Sequence, residues 1–330
     1  MKGIIRNFIS ASVAVGFCAS LANAQECDPM LQPVCSECPP CGGKINVGAE
    51  YLYWKSGQKD LLTVETEANS TDLSQNFRTH TIDFQYESGY RVLASYELPC
   101  NQWQIGATYT YAPGKGDLKL STKADQTPID FLYSTYQSKW ESTFSYFDLD
   151  LARSYTLCEC VIVRPHMGFR AIWGDQKRHS KNLLAEPFPI EGFPDQNSLP
   201  DNNKQEFTGY GIEAGVWGDW NVTRHISIIG HVGGSIVHTK LKYHTLESIG
   251  TVNGTFTPSS EFHTREVDHQ AIPSLDLFLG LRYADTICNW DYSVYAGWES
   301  HVWFDLGNVE LSNGGNFSTE GLTVGIDIGF

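Results

Sequence analysis

The last nine residues of the chain alternate between apolar side chains and small or polar ones without interruption. Leu322, Val324, Ile326, Ile328 and Phe330 share one face, and Thr, Gly, Asp and Gly lie between them. A period of two is the period of a β-strand. An apolar face set against a small and polar face predicts a strand with lipid on one side and a polar lumen on the other.

The same alternation recurs along the chain and predicts ten strands. These are residues 45–55, 79–98, 102–112, 139–155, 159–173, 206–220, 225–240, 264–283, 289–304 and 319–330. Outside the first 24 residues, no stretch approaches the roughly 18 consecutive apolar residues that a transmembrane helix needs. The pattern therefore predicts an all-β chain.

The connections between these segments alternate in length. Five long ones, residues 56–78, 113–138, 174–205, 241–263 and 305–318, interleave with four short ones, residues 99–101, 156–158, 221–224 and 284–288. Transmembrane barrels have short periplasmic turns, long extracellular loops and an even strand number. The sequence predicts an antiparallel up-and-down barrel with both termini in the periplasm. Extra strands in the long loops would give twelve, although residues 118–123 and 241–247 could instead extend their neighbours.

Aromatic residues lie near the predicted strand ends or on the predicted outward faces. They are Tyr51, Tyr53, Trp54, Trp103, Trp140, Trp173, Trp220, Trp290 and Trp298. Such positions are typical of the aromatic girdles at the two membrane interfaces. The alternative is the core of a soluble β-sandwich, which the one-sided pattern of the third and ninth strands disfavours.

The first 24 residues have the pattern of a secretory signal peptide. Lys2 and Arg6 precede an apolar run over residues 8–21, and an Ala-x-Ala motif predicts cleavage between Ala24 and Gln25. The mature chain would then consist of a cysteine-rich periplasmic segment, residues 25–44, and a barrel, residues 45–330.

Composition narrows the function further. The net charge is −15, and it becomes −17 when the signal peptide takes its two positive charges away. Nucleic acid is therefore excluded as an expected partner. An acidic lumen would favour cations over anions.

Eight cysteines remain after the signal peptide. They are Cys27, Cys35, Cys38, Cys41, Cys100, Cys158, Cys160 and Cys288. An even number in an exported protein predicts disulfides, and all eight fall on the predicted periplasmic side. The bonds could lie within the barrel or join it to neighbouring copies or envelope proteins. The C-x-x-C-x-x-C spacing of residues 35–41 could bind metal, but an oxidising compartment favours disulfides, and we predict neither metal nor cofactor.

Ionisable residues fall on the predicted inward face. The candidates for the lumen or its constriction are Arg91, Asp148, Asp150, Arg164, His166, Arg170, Glu213, His231, Asp276 and Arg282. The predicted turns place four pairs across from each other, namely Asp150–Arg164, Asp148–His166, Glu213–His231 and Asp219–His225. The network could be a salt-bridged plug in a narrow barrel or a constriction that selects permeants.

Catalysis is a third possibility, because outer-membrane proteases of the omptin type also have ten strands. Carboxylate–histidine pairs that could activate water are Asp175 with His179 and Glu299 with His301. No omptin-like, nucleophile-elbow or zinc-protease motif accompanies them. We therefore predict no catalytic residues and no enzymatic activity.

Several strand motifs are similar to those of one known family. They are Gly48–Trp54, Gly89–Tyr96, Asp148–Tyr155 and Arg164–Trp173, together with the terminal Phe330. They resemble the Legionella-type major outer membrane proteins, a family also expanded in chlamydia-like bacteria. This resemblance implies an abundant pore-forming barrel, and Phe330 resembles the signal read by the barrel-assembly machinery. The cysteine-rich N-terminal segment departs from the family pattern and is reminiscent of chlamydial envelopes reinforced by disulfides.

The sequence thus predicts a porin-like barrel in a bacterial outer membrane. It would pass small hydrophilic solutes or ions with a preference for cations, and periplasmic disulfides would reinforce the envelope. The alternative is a plugged barrel with a structural or surface role, such as an adhesin or a disulfide-linked envelope protein.

Overall fold

The structure is a computed structural model that describes residues 43–58, 62–68, 75–99, 102–121, 133–158, 160–188, 196–253, 255–287, 290–307 and 315–330. The predicted signal peptide and its cleavage site, and most of the cysteine-rich segment, lie outside these residues. So do six of the eight disulfide candidates, namely Cys27, Cys35, Cys38, Cys41, Cys100 and Cys288. In the described part of the chain, no helix is long and apolar enough to cross a membrane.

The described residues form antiparallel strands that close into a barrel. The strands are β1 (Lys44–Gln58), β2 (Leu62–Ala68), β3 (Gln75–Thr81), β4 (Asp83–Glu97), β5 (Trp103–Ser121), β6 (Tyr133–Arg153), β7 (Tyr155–Cys158), β8 (Val161–Phe188), β9 (Gln196–Asn221), β10 (Ile226–Asn253), β11 (Thr255–Ile287), β12 (Trp290–Trp303) and β13 (Phe317–Gly329). The order around the barrel is β6-β5-β4-β1-β13-β12-β11-β10-β9-β8, and β8 pairs with β6 to close it. The short β7 continues the line of β6 beside β8, whereas β2 and β3 form a separate hairpin.

This arrangement confirms the predicted ten-stranded up-and-down barrel. Both described ends of the chain lie together, since Ile45 and Phe330 exchange two backbone hydrogen bonds of 2.9 Å. We call this end of the barrel, with its short connections, the short-turn end, and the opposite end the long-loop end. On β13 the predicted alternation holds, because Ile326 is 46% exposed and Thr323 is fully buried.

Much of what the sequence suggested as long loops is strand. β8, β9, β10 and β11 have 28, 26, 28 and 33 residues, whereas about 9–11 residues suffice to cross a membrane. Residues 118–121 extend β5 and residues 241–247 extend β10, so the twelve-strand alternative is wrong. In the sequence, polar residues fall in both alternating sets of these extensions, which removes the contrast that reveals a strand.

The predicted register of two hairpins is wrong by four residues. Asp148 lies opposite Arg170 and not His166, and Glu213 lies opposite Ser235 and not His231. The other two predicted pairs fail for the same reason, since Asp150 lies opposite Gly168 and Asp219 opposite Ile229. Each turn is centred two residues later than predicted. A shift of four residues keeps every side chain on its predicted face but changes its partner.

Two of the predicted girdle aromatics lie in the lumen. Trp54 is 2% exposed and Trp140 is fully buried, whereas Tyr51 and Trp298 are each 50% exposed on the outer surface. Trp54 follows the outward-facing Tyr53 directly, so strand alternation turns its indole inward. The prediction was wrong for these two tryptophans because it relied on the preference of aromatic residues for the membrane interface and not on their place in the strand alternation.

Candidate functional site: the filled lumen

Arg170 of β8 lies at the centre of the lumen and contacts three carboxylates. Its Nε donates to Asp148 Oδ1 at 2.7 Å and its Nη1 donates to Asp276 Oδ2 at 2.6 Å. Its Nη2 lies 2.7 Å from Glu213 Oε2. All four residues are at most 8% exposed. Because a buried ion is costly unless it is paired, this geometry holds the four strands that supply the charges in one arrangement.

Arg91 of β4 forms a second centre. Its Nη1 donates to Glu50 Oε2 at 2.6 Å, and its Nη2 donates to Glu299 Oε1 and to Tyr146 Oη, each at 2.8 Å. Its Nε donates to Thr110 Oγ1 at 2.8 Å. Every donor group of this guanidinium is therefore engaged by side chains of β1, β5, β6 and β12.

His301 joins the two centres. Its Nδ1 is 2.8 Å from Asp276 Oδ1 and its Nε2 is 2.8 Å from Glu299 Oε1. Both ring nitrogens can donate only when the imidazole is protonated, so the geometry fits an imidazolium between two carboxylates. A continuous chain of ion pairs then crosses the lumen. We call it the belt; its members are Glu50, Arg91, Asp148, Arg170, Glu213, Asp276, Glu299 and His301.

An aromatic layer covers the belt on its long-loop side. Its buried residues are Ile82, Trp140, Phe144, Tyr146, Ile172, Phe207, Val237, Leu241, Tyr243, Ile272, Trp303, Leu306 and Phe317. The rings of Phe144 and Trp303 are 5.0 Å apart. The Arg170 guanidinium lies 5.6 Å from the Trp303 ring, a cation–π contact that stabilises the charge where water is excluded. These side chains fill the barrel above the belt.

A turn after β12 folds into this layer from the long-loop end. Leu306 is fully buried within the aromatic layer. The Gln58 side chain donates to the Gly307 carbonyl, and Gln270 Nε2 donates to the Asp305 carbonyl at 3.0 Å. Asp305 has a φ of 60°, in the left-handed region that aspartate tolerates better than most residues. Side chains of the barrel wall therefore hold this turn, which we call the Leu306 turn, inside the long-loop end of the lumen.

The short-turn end of the lumen is polar and partly exposed. The two imidazoles of His166 and His231 meet there, with their Nε2 atoms 2.9 Å apart. Nearer the end of the barrel, Arg164 Nη1 donates to Gln104 Oε1 at 3.1 Å, and Arg282 forms an ion pair with Asp219. Below the belt the lumen is thus a vestibule lined by charged and imidazole groups, together with a small buried apolar cluster of Ile229, Phe278 and Tyr295.

Comparison with protein families identifies the chain. Residues 38–330 match the family described as Legionella pneumophila major outer membrane protein precursor. The chain belongs to this family. The resemblance expected from the strand motifs is thereby confirmed, and the barrel is an outer-membrane barrel.

Solved outer-membrane barrels are similar to this family member at low identity. The outer membrane protease OmpT from Escherichia coli is 12% identical, with 87% of this chain and 96% of that chain covered and a TM-score of 0.42. A major outer membrane protein from Thermus thermophilus is 10% identical, with 87% and 99% covered and a TM-score of 0.34. The Pseudomonas putida toluene transporter TodX is 8% identical, with 88% and 90% covered and a TM-score of 0.30. A search of the curated proteins found no significant match.

The predicted lumen residues divide between two places. Arg91, Asp148, Arg170, Glu213 and Asp276 lie in the belt. The other five, Asp150, Arg164, His166, His231 and Arg282, line the vestibule at the short-turn end. That any of them selects a permeant stays a prediction.

Three belt residues were missed as lumen residues. Glu50 alternates with the outward-facing Tyr51, and Glu299 and His301 alternate with Trp298 and its neighbours on β12. The strand period was sufficient to place all three inward. The Tyr146 and Tyr295 hydroxyls, which donate to or accept from belt side chains, lie on the same face by the same rule.

The two carboxylate–histidine pairs considered for catalysis have different surroundings. Glu299 and His301 are hydrogen-bonded to each other, but they are 6% and 4% exposed and engaged by Arg91 and Asp276. Asp175 accepts a hydrogen bond from Thr143, while His179 contacts Asn202 at 2.6 Å. The absence of enzymatic activity stays a prediction.

The two described cysteines lie at the short-turn end beside each other. Cys158 is an exposed free thiol, and Cys160 takes part in a disulfide bond. Their sulfur atoms are 3.7 Å apart. The pairing of the eight predicted disulfide cysteines, and any cross-link to another protein, stay predictions.

Proposed function

We propose that this protein is a structural barrel of the outer membrane whose lumen is closed in its resting state. The observation that supports this proposal most directly is the fully buried aromatic layer above the belt. Ten strands enclose a narrow lumen, because eight enclose little more than their own side chains and sixteen to eighteen leave a channel. Here large rings, ion pairs and the Leu306 turn occupy that space.

The orientation in the membrane is part of this proposal. The short-turn end would face the periplasm, as it does in other barrels of this type, with Phe330 available there to the assembly machinery. Phe330 is 52% exposed and packs 5.6 Å from the Trp290 ring. The long strands β8 to β11 would then extend beyond the outer surface of the membrane, where other molecules could contact them. The cysteines of the short-turn end would face the compartment in which disulfides form.

A second candidate is the porin-like passage predicted from the sequence. One specific observation favours it: the belt has five carboxylates but only two guanidinium groups and one imidazole. An excess of acidic side chains in a constriction favours cations. Passage of solutes would require the aromatic layer and the Leu306 turn to move aside.

Ion current across a planar bilayer distinguishes the two candidates. The purified, oxidised mature protein is inserted, and folding is checked by its heat-modifiable mobility on gels. We expect no discrete conductance steps, because the aromatic layer, the ion pairs of the belt and the Leu306 turn occupy the lumen. Reproducible steps with reversal potentials shifted toward cations would overturn the closed-lumen proposal. Asp276→Asn would then test the belt as the filter, with the lipid-facing Val324→Ala as its matched control.

A further inference from the structure

Two histidines from non-adjacent strands converge in the vestibule of the lumen. His166 belongs to β8 and His231 to β10, and the strand between them is β9. Their Nε2 atoms are 2.9 Å apart and their ring centroids 5.1 Å apart. We propose that this pair is a binding site for a divalent transition-metal ion, Cu²⁺ or Ni²⁺ in particular. The site is independent of whether the lumen conducts.

Glycines make the approach of the two rings possible. Gly215 of β9 lies opposite Gly233 of β10 in the register. A Cβ atom at Gly215 would lie 2.6 Å from His166 Nε2 and 2.8 Å from His231 Nε2. A Cβ atom at Gly233 would lie 2.9 Å from His231 Nε2. Any side chain at these two positions would push the imidazoles apart, so the site is formed by four residues on three elements of the fold.

The arrangement of the two nitrogens suits a metal ion. Two imidazoles can share only one proton between facing Nε2 atoms, so at least one of them is neutral, and an ion bound by both displaces the shared proton to Nδ1 of its ring or to solvent. Neutral imidazole is the commonest metal ligand in proteins. A separation of 2.9 Å corresponds to two ligands at right angles on an ion with metal–nitrogen distances of about 2.05 Å. Right angles between nitrogen ligands are typical of square-planar and tetragonal Cu²⁺ and Ni²⁺ sites.

Both rings have to turn before they can bind such an ion. They point nearly at each other, so both must tilt for their lone pairs to meet on one ion at the side of the pair. His166 Nδ1 is buried and has no hydrogen-bond partner among the described residues, so a tilt of this ring breaks no hydrogen bond at Nδ1. His231 is held on its face by Trp217, whose ring stacks at 4.5 Å and 25°. His166 therefore makes the larger tilt and His231 the smaller one when the two rings bind the ion.

The charged residues near His166 and His231 affect how tightly the metal ion would bind. Asp150 faces the lumen near His166 and attracts a cation, while Arg164 and Arg170 on the same strand repel it. Among the described residues, no group of three or more His, Cys, Asp or Glu side chains could hold a metal. Water would therefore complete the coordination. Both imidazoles are partly exposed at the short-turn end, so the ion would exchange with the vestibule and not be trapped.

Copper binding to the folded full-length mature barrel tests the proposal. Free thiols are first alkylated so that Cys158 cannot bind the metal, and Cu²⁺ is then titrated by calorimetry and by electron paramagnetic resonance. We expect one Cu²⁺ per barrel with hyperfine coupling to two nitrogens. His166→Ala and His231→Ala should each weaken binding by about tenfold or more, equivalent to about 1.4 kcal/mol. Gly215→Val should weaken it as well, because a side chain there separates the rings.

The matched control is His238→Ala on the outer face of β10. His238 is exposed and stacks at 6.2 Å on His269, so its loss should leave the two-nitrogen signal unchanged. If an alanine variant does not fold, His231→Gln replaces it, with the same loss expected. The proposal is overturned if the wild-type barrel binds no Cu²⁺ below about 1 mM, or if the His166 and His231 variants retain the two-nitrogen signal.

Discussion

The two halves of the lumen are filled by different chemistry. Toward the long-loop end, Trp140 and Trp303 are fully buried and Phe144 is 1% exposed. Toward the short-turn end, His166 and Arg164 remain partly exposed, and the imidazoles of His166 and His231 meet beside Gly215. The larger apolar cluster therefore lies in the long-loop half, whereas the short-turn half combines polar groups with one small apolar cluster, Ile229, Phe278 and Tyr295. A narrow barrel can be sealed by a single apolar layer while its other half stays available for solvent and ligands.

The belt lies at the boundary between these halves, and its stability depends on both. The aromatic layer excludes water from one side of the ion pairs, which strengthens each attraction but raises the cost of any unpaired charge. Tyr146 belongs to both regions, because its ring packs in the layer while its hydroxyl accepts from Arg91. Removing a charge from the belt should therefore cost more than removing one anywhere else in the barrel.

The largest effect is expected for Arg170→Met. The substitution keeps an unbranched apolar chain in place of the arginine stem but leaves Asp148, Glu213 and Asp276 without their shared cation. We expect the free energy of unfolding to fall by about 3–5 kcal/mol, the usual result of leaving buried charge unpaired. Chemical denaturation of the folded barrel in detergent, followed by heat-modifiable mobility, measures it.

Lys204→Met is the matched control for this variant. Lys204 forms an ion pair with Glu206 in which both side chains are 39% exposed. Exposed pairs contribute about 0–1 kcal/mol, so the control should stay close to wild type. Equal losses in the two variants would show that burial does not distinguish the belt from surface pairs.

A comparable or somewhat smaller effect is expected for Trp303→Ala. This indole is fully buried against Phe144 and Arg170, and its removal should lower the free energy of unfolding by about 3–5 kcal/mol through the cavity it leaves. Trp298→Ala, on the same strand but 50% exposed, should cost less than about 2 kcal/mol, since lipid fills the space. Parallel denaturation curves compare them. A larger loss for Trp298 would mean that the girdle, and not the aromatic layer, carries the stability.

The smallest effect is expected for Asp291→Asn at the short-turn end. Lys44 and Asp291 form an ion pair with side chains 33% and 48% exposed. We expect a loss of no more than about 1 kcal/mol, and one that shrinks as salt is added. Denaturation at low and high ionic strength measures both. A loss above about 3 kcal/mol that salt does not reduce would place this pair with the belt.

The sequence predicted which side of the barrel wall a side chain faces better than it predicted which residue lies opposite on the neighbouring strand. Alternation placed Arg91, Arg170 and Asp276 inward correctly, because a strand side chain has only two directions available. The partner of Asp148 was predicted wrongly. A turn placed two residues too early shifts the residue on the opposite strand by four. The Leu306 turn was not predicted to enter the lumen, because residues 305–318 have no periodic pattern.

By itself, the sequence determined that this protein is an all-β barrel, favoured ten strands over twelve, and placed ten of the ionisable residues in the lumen. Local alternation and connection length carry that information, and neither depends on distant parts of the chain. Only the tertiary structure decided that Arg91 meets Glu299, 208 residues away, that His301 joins the two arginine centres, and that His166 meets His231. Those contacts arise when the barrel closes, since closure brings strands far apart in sequence to opposite sides of one narrow space.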